Sequence, residues 1–296
     1  MNKVIIHANS VEWQQAYLPR FSDGFSKVHG IRVIHKQEDT PEYTLSPSGR
    51  KIYIENFHVI FANNSWKLTH LVCNKHNFPL LTVGRCFFGS RHDMVAIGWD
   101  GFNGAADFCL EDDMPGDRWA KHGFNIPGGF GDPDGYVLVC GEFRDCSKWY
   151  ATMREILAGE DVRFRAHPFK SGETVPGWKN APQAGQDDIA RLFPDCKAVI
   201  TYDSIAGCDA VLAGVPTIAC GENAMARDVA FHSWRAFKEW YDSDEPVYPP
   251  FDVERWARRL AYCQWSHDEI SNGEFWSHLR SRIVGDANEH ERTRRA

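Results

Sequence analysis

The sequence predicts an α/β fold with two successive parallel-sheet domains. Short apolar runs alternate with helical patterns along the chain, and that alternation breaks at a glycine- and proline-rich stretch and then restarts. In the restarted half, residues 199–219 read as strand, polar turn, short helix and second strand, with polar chemistry gathered at the turn.

In chain order, residues 3–8 form a first strand. A helical pattern follows through Trp13, Tyr17, Leu18 and Phe21, which Pro19 is expected to kink or interrupt. Residues 31–35, 58–62, 79–83 and 94–99 read as further strands, and their alternation with connectors implies a parallel sheet. Residues 111–135 carry Pro115, Pro127, Pro133 and many glycines and read as a linker. Strand signals resume at 136–140 and 162–166, with a helix between them over 147–157. A helix is expected over 253–265, with Asp252 as its cap, and another around Trp276 and Leu279. The domain reading is 1–125 for the first domain and linker, 126–250 for the second, and 251–296 for C-terminal helices and a polar tail.

A chain of 296 residues, 43% hydrophobic, is long enough for two modest cores. Its net charge of −7 argues against a protein that holds nucleic acid through a broad basic surface, though not against a local basic groove. Nine cysteines at irregular spacing include no C-x-x-C pair, so neither a zinc site nor a disulfide framework is supported, and reduced thiols are expected. No apolar run approaches the roughly 20 residues that span a bilayer, and a cytoplasmic protein without membrane insertion is expected.

The turn after the strand at 198–201 holds Tyr202, Asp203 and Ser204 ahead of an apolar helical segment. Free N–H groups and the helix dipole at such a start favour an anion, and Ser204 adds a hydroxyl donor. Asp209, about one and a half turns on, is placed to accept hydrogen bonds from two neighbouring sugar hydroxyls. Gly214 and Pro216 end the helix and begin the next strand. A second constellation supplies cations: residues 162–170 run out of a strand into a loop with Arg163, Arg165, His167 and Lys170. Arg165 and His167 are candidates to meet phosphates outside a strand's carboxyl end. For His167 a structural histidine is the alternative, and Arg163 reads as structural.

Tyr202, Ser204, Gly207, Asp209, Ala210, Gly214 and Pro216 fill in order the pattern Tyr-x-Ser-x-x-Gly-x-Glu/Asp-Ala-x-x-x-Gly-x-Pro. This segment resembles the donor site of GT-B glycosyltransferases, and its layout is similar to capsule-type and small phage-encoded DNA glycosyltransferases. The Arg165-x-His167-Pro168 string resembles capsule-type members as well. The resemblance implies two Rossmann-like domains facing a central cleft, with C-terminal helices crossing back onto the first. It implies a nucleotide-sugar co-substrate, with a UDP-sugar expected, and single-displacement, inverting transfer without a required cofactor. By association with phage enzymes the favoured acceptor is a 5-hydroxymethylpyrimidine in double-stranded DNA, in host cytoplasm if phage-encoded. A capsule or envelope carbohydrate is the alternative acceptor. A noncatalytic nucleotide-sugar or nucleic-acid-binding protein is the alternative of another class.

A metal is not indicated, and the adjacent acids Asp112-Asp113 and Asp187-Asp188 read as solvated surface. Glu222 and Arg227 follow the second strand of the donor unit and are candidates to border the transferred sugar. The acceptor side falls to the first domain. Asp100, read at the carboxyl edge of the strand at 94–99, is a candidate base, with an Asx turn before Gly101 as the alternative. His7 at the end of the first strand is a second candidate base. Asp93 precedes the strand that Asp100 follows and is read at the opposite end. Arg85, Arg91 and Asn103 are candidates for acceptor binding.

Overall fold

The computed structural model describes residues 2–8, 12–27, 31–37, 56–61, 79–90, 92–123, 131–182, 188–243 and 251–281. The elements are β1 (Asn2–Ala8), α1 (Glu12–Ser26), β2 (Ile31–Gln37), β3 (Asn56–Phe61), β4 (Leu80–Arg85), β5 (Met94–Trp99), α2 (Asp117–His122), β6 (Tyr136–Cys140) and α3 (Ser147–Ile156). They continue with β7 (Val162–Arg165), β8 (Lys179–Asn180), β9 (Cys196–Thr201), α4 (Ala206–Leu212), β10 (Thr217–Ala219) and α5 (Trp234–Tyr241). The last are α6 (Val253–Ala261), β11 (Gln264–Ser266), α7 (His267–Asn272) and α8 (Glu274–Leu279).

Two compact units result, residues 1–114 with 259–296, and residues 115–258. The sequence boundaries at 125/126 and 250/251 therefore move to 114/115 and 258/259, and the C-terminal segment joins the first unit. Part of the expected linker is the helix α2, and its far end is tied into the second unit, where Gly131 and Asp132 N–H groups bond Gly214 O (3.3 Å) and Cys196 O (2.9 Å).

The first unit's sheet has the order β11-β5-β4-β3-β1-β2. β1 to β4 are mutually parallel, but β5 runs antiparallel to β4, and β11 antiparallel to β5. The sheet is thus mixed where an all-parallel one was expected. The helix expected to reach Trp265 stops at Ala261, because Gln264 to Ser266 pair with Ala96 to Met94 as an edge strand. α1 runs on through Pro19, which lies on its exposed side. Its apolar stripe of Tyr17, Phe21 and Phe25 packs on the C-terminal helices, with Phe21 and Phe25 edge-on to Phe275 at 5.5 and 5.2 Å. Gly24 is required here, since any Cβ would collide with the Ile270 carbonyl.

The second unit's sheet, β10-β9-β6-β7-β8, is parallel throughout. Both faces of β6 are buried, as a doubly covered parallel strand requires. Val137 and Val139 face Tyr150 and Met153 of α3 and Phe237 of α5, whereas Leu138 and Cys140 face Ala206 and Ala210 of α4. Helices therefore cover opposite sides, and the carboxyl ends of β6, β7, β9 and β10 open onto one edge. The eight described cysteines are free thiols, and burial pushes those of Cys140 and Cys196 up to about 12. Among the described residues no helix is long and apolar enough to cross a membrane.

Candidate functional site

The carboxyl edge of the second unit's sheet is built from the residues that leave its strands. β6 runs into Gly141, Glu142, Phe143 and Arg144, β7 into Ala166, His167 and the 3-10 turn Pro168–Lys170, and β9 into Tyr202, Asp203 and Ser204. Arg144 links the first and third of these. Its Nη2 donates to Asp203 Oδ2 at 2.6 Å, and its guanidinium lies 4.5 Å from the Tyr202 ring centroid. Lys170 links the first and second through Nζ–H to Arg144 O, at 2.9 Å. Trp149 meets Tyr202 edge-on at 5.5 Å.

His167 occupies the cap position of its turn, and its Nδ1 accepts the Phe169 N–H at 3.2 Å. That bond assigns the neutral ring's proton to Nε2, which makes Nε2–H a donor suited to a phosphate oxygen. Phe143 and Phe169 flank the imidazole at 5.5 and 5.6 Å and each other at 6.1 Å. They are 57% and 63% exposed. Two adjacent phenylalanines left in water beside three cationic or imidazole groups form a surface suited to a flat, anionic ligand.

The turn Tyr202 to Ser204 differs from its sequence reading in one important respect. An anion does face its N–H groups, but it is the protein's own. Glu142 Oε1 accepts from the N–H groups of Tyr202, Asp203 and Ser204 at 3.0, 2.9 and 3.0 Å. Glu142 is 6% exposed, and its burial raises the carboxyl above the ordinary range while the N–H bonds pull it back. Asp203 packs so closely on Gly221 that no Cβ fits there. The turn is therefore a preformed frame, and the positions left for a phosphate are the side chains around it.

Arg165 closes β7 with its side chain buried, and the charges of Arg165, Glu142 and Asp209 all reach the Cys140 thiol at the end of β6. The edge thus gathers Arg165, His167, Tyr202, Ser204 and Asp209. Ser204 Oγ accepts the Ala206 N–H at 3.3 Å, so the hydroxyl helps start α4. Asp209 is half-buried in the first turn of α4. Arg227 is turned to structural use, donating from Nη1 to Ala219 O (3.4 Å) and Gly221 O (3.3 Å). Glu222 is exposed beyond β10. Arg163 stacks on Tyr136 at 3.7 Å.

In the first unit the reversal of β5 separates residues that the sequence placed together. The carboxyl ends of β1 and β4 bring the His7 backbone and Arg85 to one edge. Asp100 and Asn103 follow β5, and because β5 is antiparallel they lie at the opposite edge from Arg85, whose partner Val95 is about 17 Å from Asp100 by strand rise. Asp100 has φ +57°, accepts the Leu80 N–H on Oδ1 at 3.0 Å, and donates its own N–H to Leu80 O at 2.7 Å. It holds the start of β4 across the sheet. Asn103 also has positive φ and opens a 3-10 turn. Only the backbone of His7 is described, and Arg91 lies outside the described residues.

No family model matches the sequence, and no curated protein matches it. Solved structures do. KpsC of Thermosulfurimonas dismutans, described as a beta Kdo 2,7 transferase, matches with a TM-score of 0.53 at 11% identity, over 93% of this chain and 99% of that one. A beta Kdo 2,4 transferase structure of KpsC from the same organism matches with a TM-score of 0.51 at 11% identity, over 89% and 90%. The chain has a GT-B-like fold.

Within that GT-B-like chain, sequence reasoning missed Glu142, Phe143 and Arg144. They lie between β6 and the helix that starts at Ser147, and only their place after an apolar strand could have drawn attention to them. Among the described residues no group of three or more His, Cys, Asp or Glu side chains is arranged to hold a metal ion.

Proposed function

We propose that this protein is a glycosyltransferase that binds a nucleotide-activated sugar at the carboxyl edge of the second unit and passes the sugar to a hydroxyl of a carbohydrate. The observation that carries this reading is the convergence of Arg144, His167 and Lys170 with the exposed Phe143 and Phe169 at the ends of parallel strands. Cations and a histidine N–H offset charge on a departing nucleotide, and aromatic faces suit its base. Asp209 remains the candidate for the ribose, with Tyr202 and Ser204 framing the phosphates and Glu222 bordering the sugar. Inverting, metal-independent displacement is the simplest chemistry for this set.

A carbohydrate acceptor is favoured over DNA by two observations. Both matching KpsC structures are described as Kdo transferases, and the chain carries a net charge of −7. The test mixes the purified chain with UDP-sugars, other nucleotide sugars or activated Kdo, together with carbohydrate acceptors or hydroxymethylated DNA. Released nucleotide and product mass are measured. Nucleotide release with a matching gain in acceptor mass is expected for a carbohydrate. A gain on DNA bases would instead restore the phage-type acceptor. Donor binding without turnover on any acceptor would mark a noncatalytic binding protein.

A further inference from the structure

We infer that Asp203, in the loop after β9, is a positioning residue that holds the Arg144 guanidinium ready for a donor phosphate, an inference that rests on the donor-site reading above. Arg144 lies on the loop after β6, and its side chain is 54% exposed. A long cation in water samples many rotamers, and ordering it on a ligand costs binding free energy. Here two contacts order it in advance. Nη2 donates to Asp203 Oδ2 at 2.6 Å, and the guanidinium lies 4.5 Å from the Tyr202 ring centroid. The planar fork has donors beyond the one given to Asp203, and a bidentate phosphate contact needs two of them.

Asp203 is itself anchored from two other strands. Its N–H donates to Glu142 Oε1 at 2.9 Å, so the loop that carries Arg144 also fixes the main chain of its partner. On the other side Gly221, after β10, supplies the space for the carboxylate. A Cβ there would stand 1.7 Å from Asp203 Oδ1 and 2.6 Å from its Cγ. Gly221 is in turn held by its N–H bond to Tyr202 O, at 2.8 Å. The Asp203 side chain is 17% exposed, so one member of the ion pair is set into the frame while the other reaches into water. A rigid carboxylate that orients a mobile cation is the arrangement that preorganises a binding group.

Two features separate this pair from a surface salt bridge of little consequence. Asp203 Oδ1 is buried with no hydrogen-bond partner among the described residues, which costs the fold and would cost an alanine nothing. Stability therefore does not account for the side chain. The pair also fixes Arg144 beside the other candidate phosphate groups. Lys170 Nζ–H bonds Arg144 O at 2.9 Å, so the main chain of Arg144 is tethered to the His167 loop while its side chain is tethered to Asp203. The opposite role, a carboxylate that competes with phosphate for the guanidinium, predicts tighter nucleotide binding once Asp203 is removed.

The test titrates the full chain with free UDP, ADP, GDP, TDP and CMP in a calorimeter. Asp203→Ala is expected to weaken the nucleotide that binds wild type by about three- to tenfold, with a thermal melt close to that of wild type. Asp203→Asn keeps the side chain's size and an acceptor oxygen, is expected to lose less, and carries the test should the alanine variant not fold. In an Arg144→Ala background neither substitution should weaken binding further, because Asp203 acts through Arg144. Affinity equal to or tighter than wild type in both Asp203 variants, or a loss that persists undiminished in the Arg144→Ala background, would overturn the assignment. A wild-type chain that binds none of the nucleotides would reject the donor-site reading itself, a result distinct from Asp203 variants that bind as well as wild type.

Discussion

The two sheets carry similar strand patterns in sequence, yet their edges are legible to different degrees. In the second unit every strand runs the same way, so any residue that follows a strand lies at the carboxyl edge. His167, Tyr202 and Ser204 fall there together, as strand order requires. In the first unit one antiparallel strand sends Asp100 to the far edge and brings Asp93 to the near one. Hydrophobic periodicity specifies where a strand lies and which faces it buries, but it is silent on direction, which is set by long-range pairing. The sites therefore separate by sheet type: the parallel sheet yields its edge to sequence reading, and the mixed sheet does not.

The comparison breaks most severely if the second unit's frame is removed. Glu142→Ala is expected to cost about 3 kcal/mol of stability, because three backbone donors lose their acceptor and each such loss costs about 1–3 kcal/mol. Chemical denaturation measures it, and a cost below about 1 kcal/mol would mean that water replaces the carboxylate with ease. Next in size, Arg144→Ala or His167→Ala should weaken donor binding by about ten- to a hundred-fold, the worth of one charged hydrogen bond. Unchanged affinity in both would remove the cations from the site.

On the first unit, Asp100→Ala should lower stability by about 1–2 kcal/mol, since it deletes the Leu80 contact and puts a Cβ residue without a local acceptor at positive φ. Asp100→Gly should cost less, and a thermal melt that ranks them the other way would refute the strain assigned to this position. The smallest effect is a pH dependence. Burial raises the Glu142 carboxyl above its unfolded value, so the folded chain holds that proton more tightly. Stability contributed by this group then falls as pH rises from the ordinary carboxylate range through the folded value. Glu142→Gln keeps an oxygen acceptor and removes the titration, so wild type should lose ground to it as pH rises. A gap that widens in favour of wild type would contradict the sign.

Much of the fold was legible locally. The strands at 94–99 and 136–140 and the helix beginning at 147 follow from apolar runs and helical spacing. β11 was not, because a three-residue edge strand with a tryptophan at helical spacing from Ala261 reads as more helix. At the site, the turn at 202–204 was legible as an anion-facing element, but its occupant was not. Glu142 is 60 residues away in sequence from Tyr202, and nothing local marks a glutamate after a strand as the partner of another strand's turn. A separation of 59 residues hid Arg144, whose partner Asp203 is contributed by β9's loop.

The claim at the centre of this account is that the carboxyl edge of the second unit binds the donor nucleotide. Amide NMR of the full chain during titration with a nucleotide-sugar panel tests it most directly. Saturable shifts are expected at residues 141–144, 166–170 and 202–209, and they should weaken in Arg144→Ala. Saturable shifts confined to residues outside that edge, or no binding by any nucleotide sugar, would contradict it.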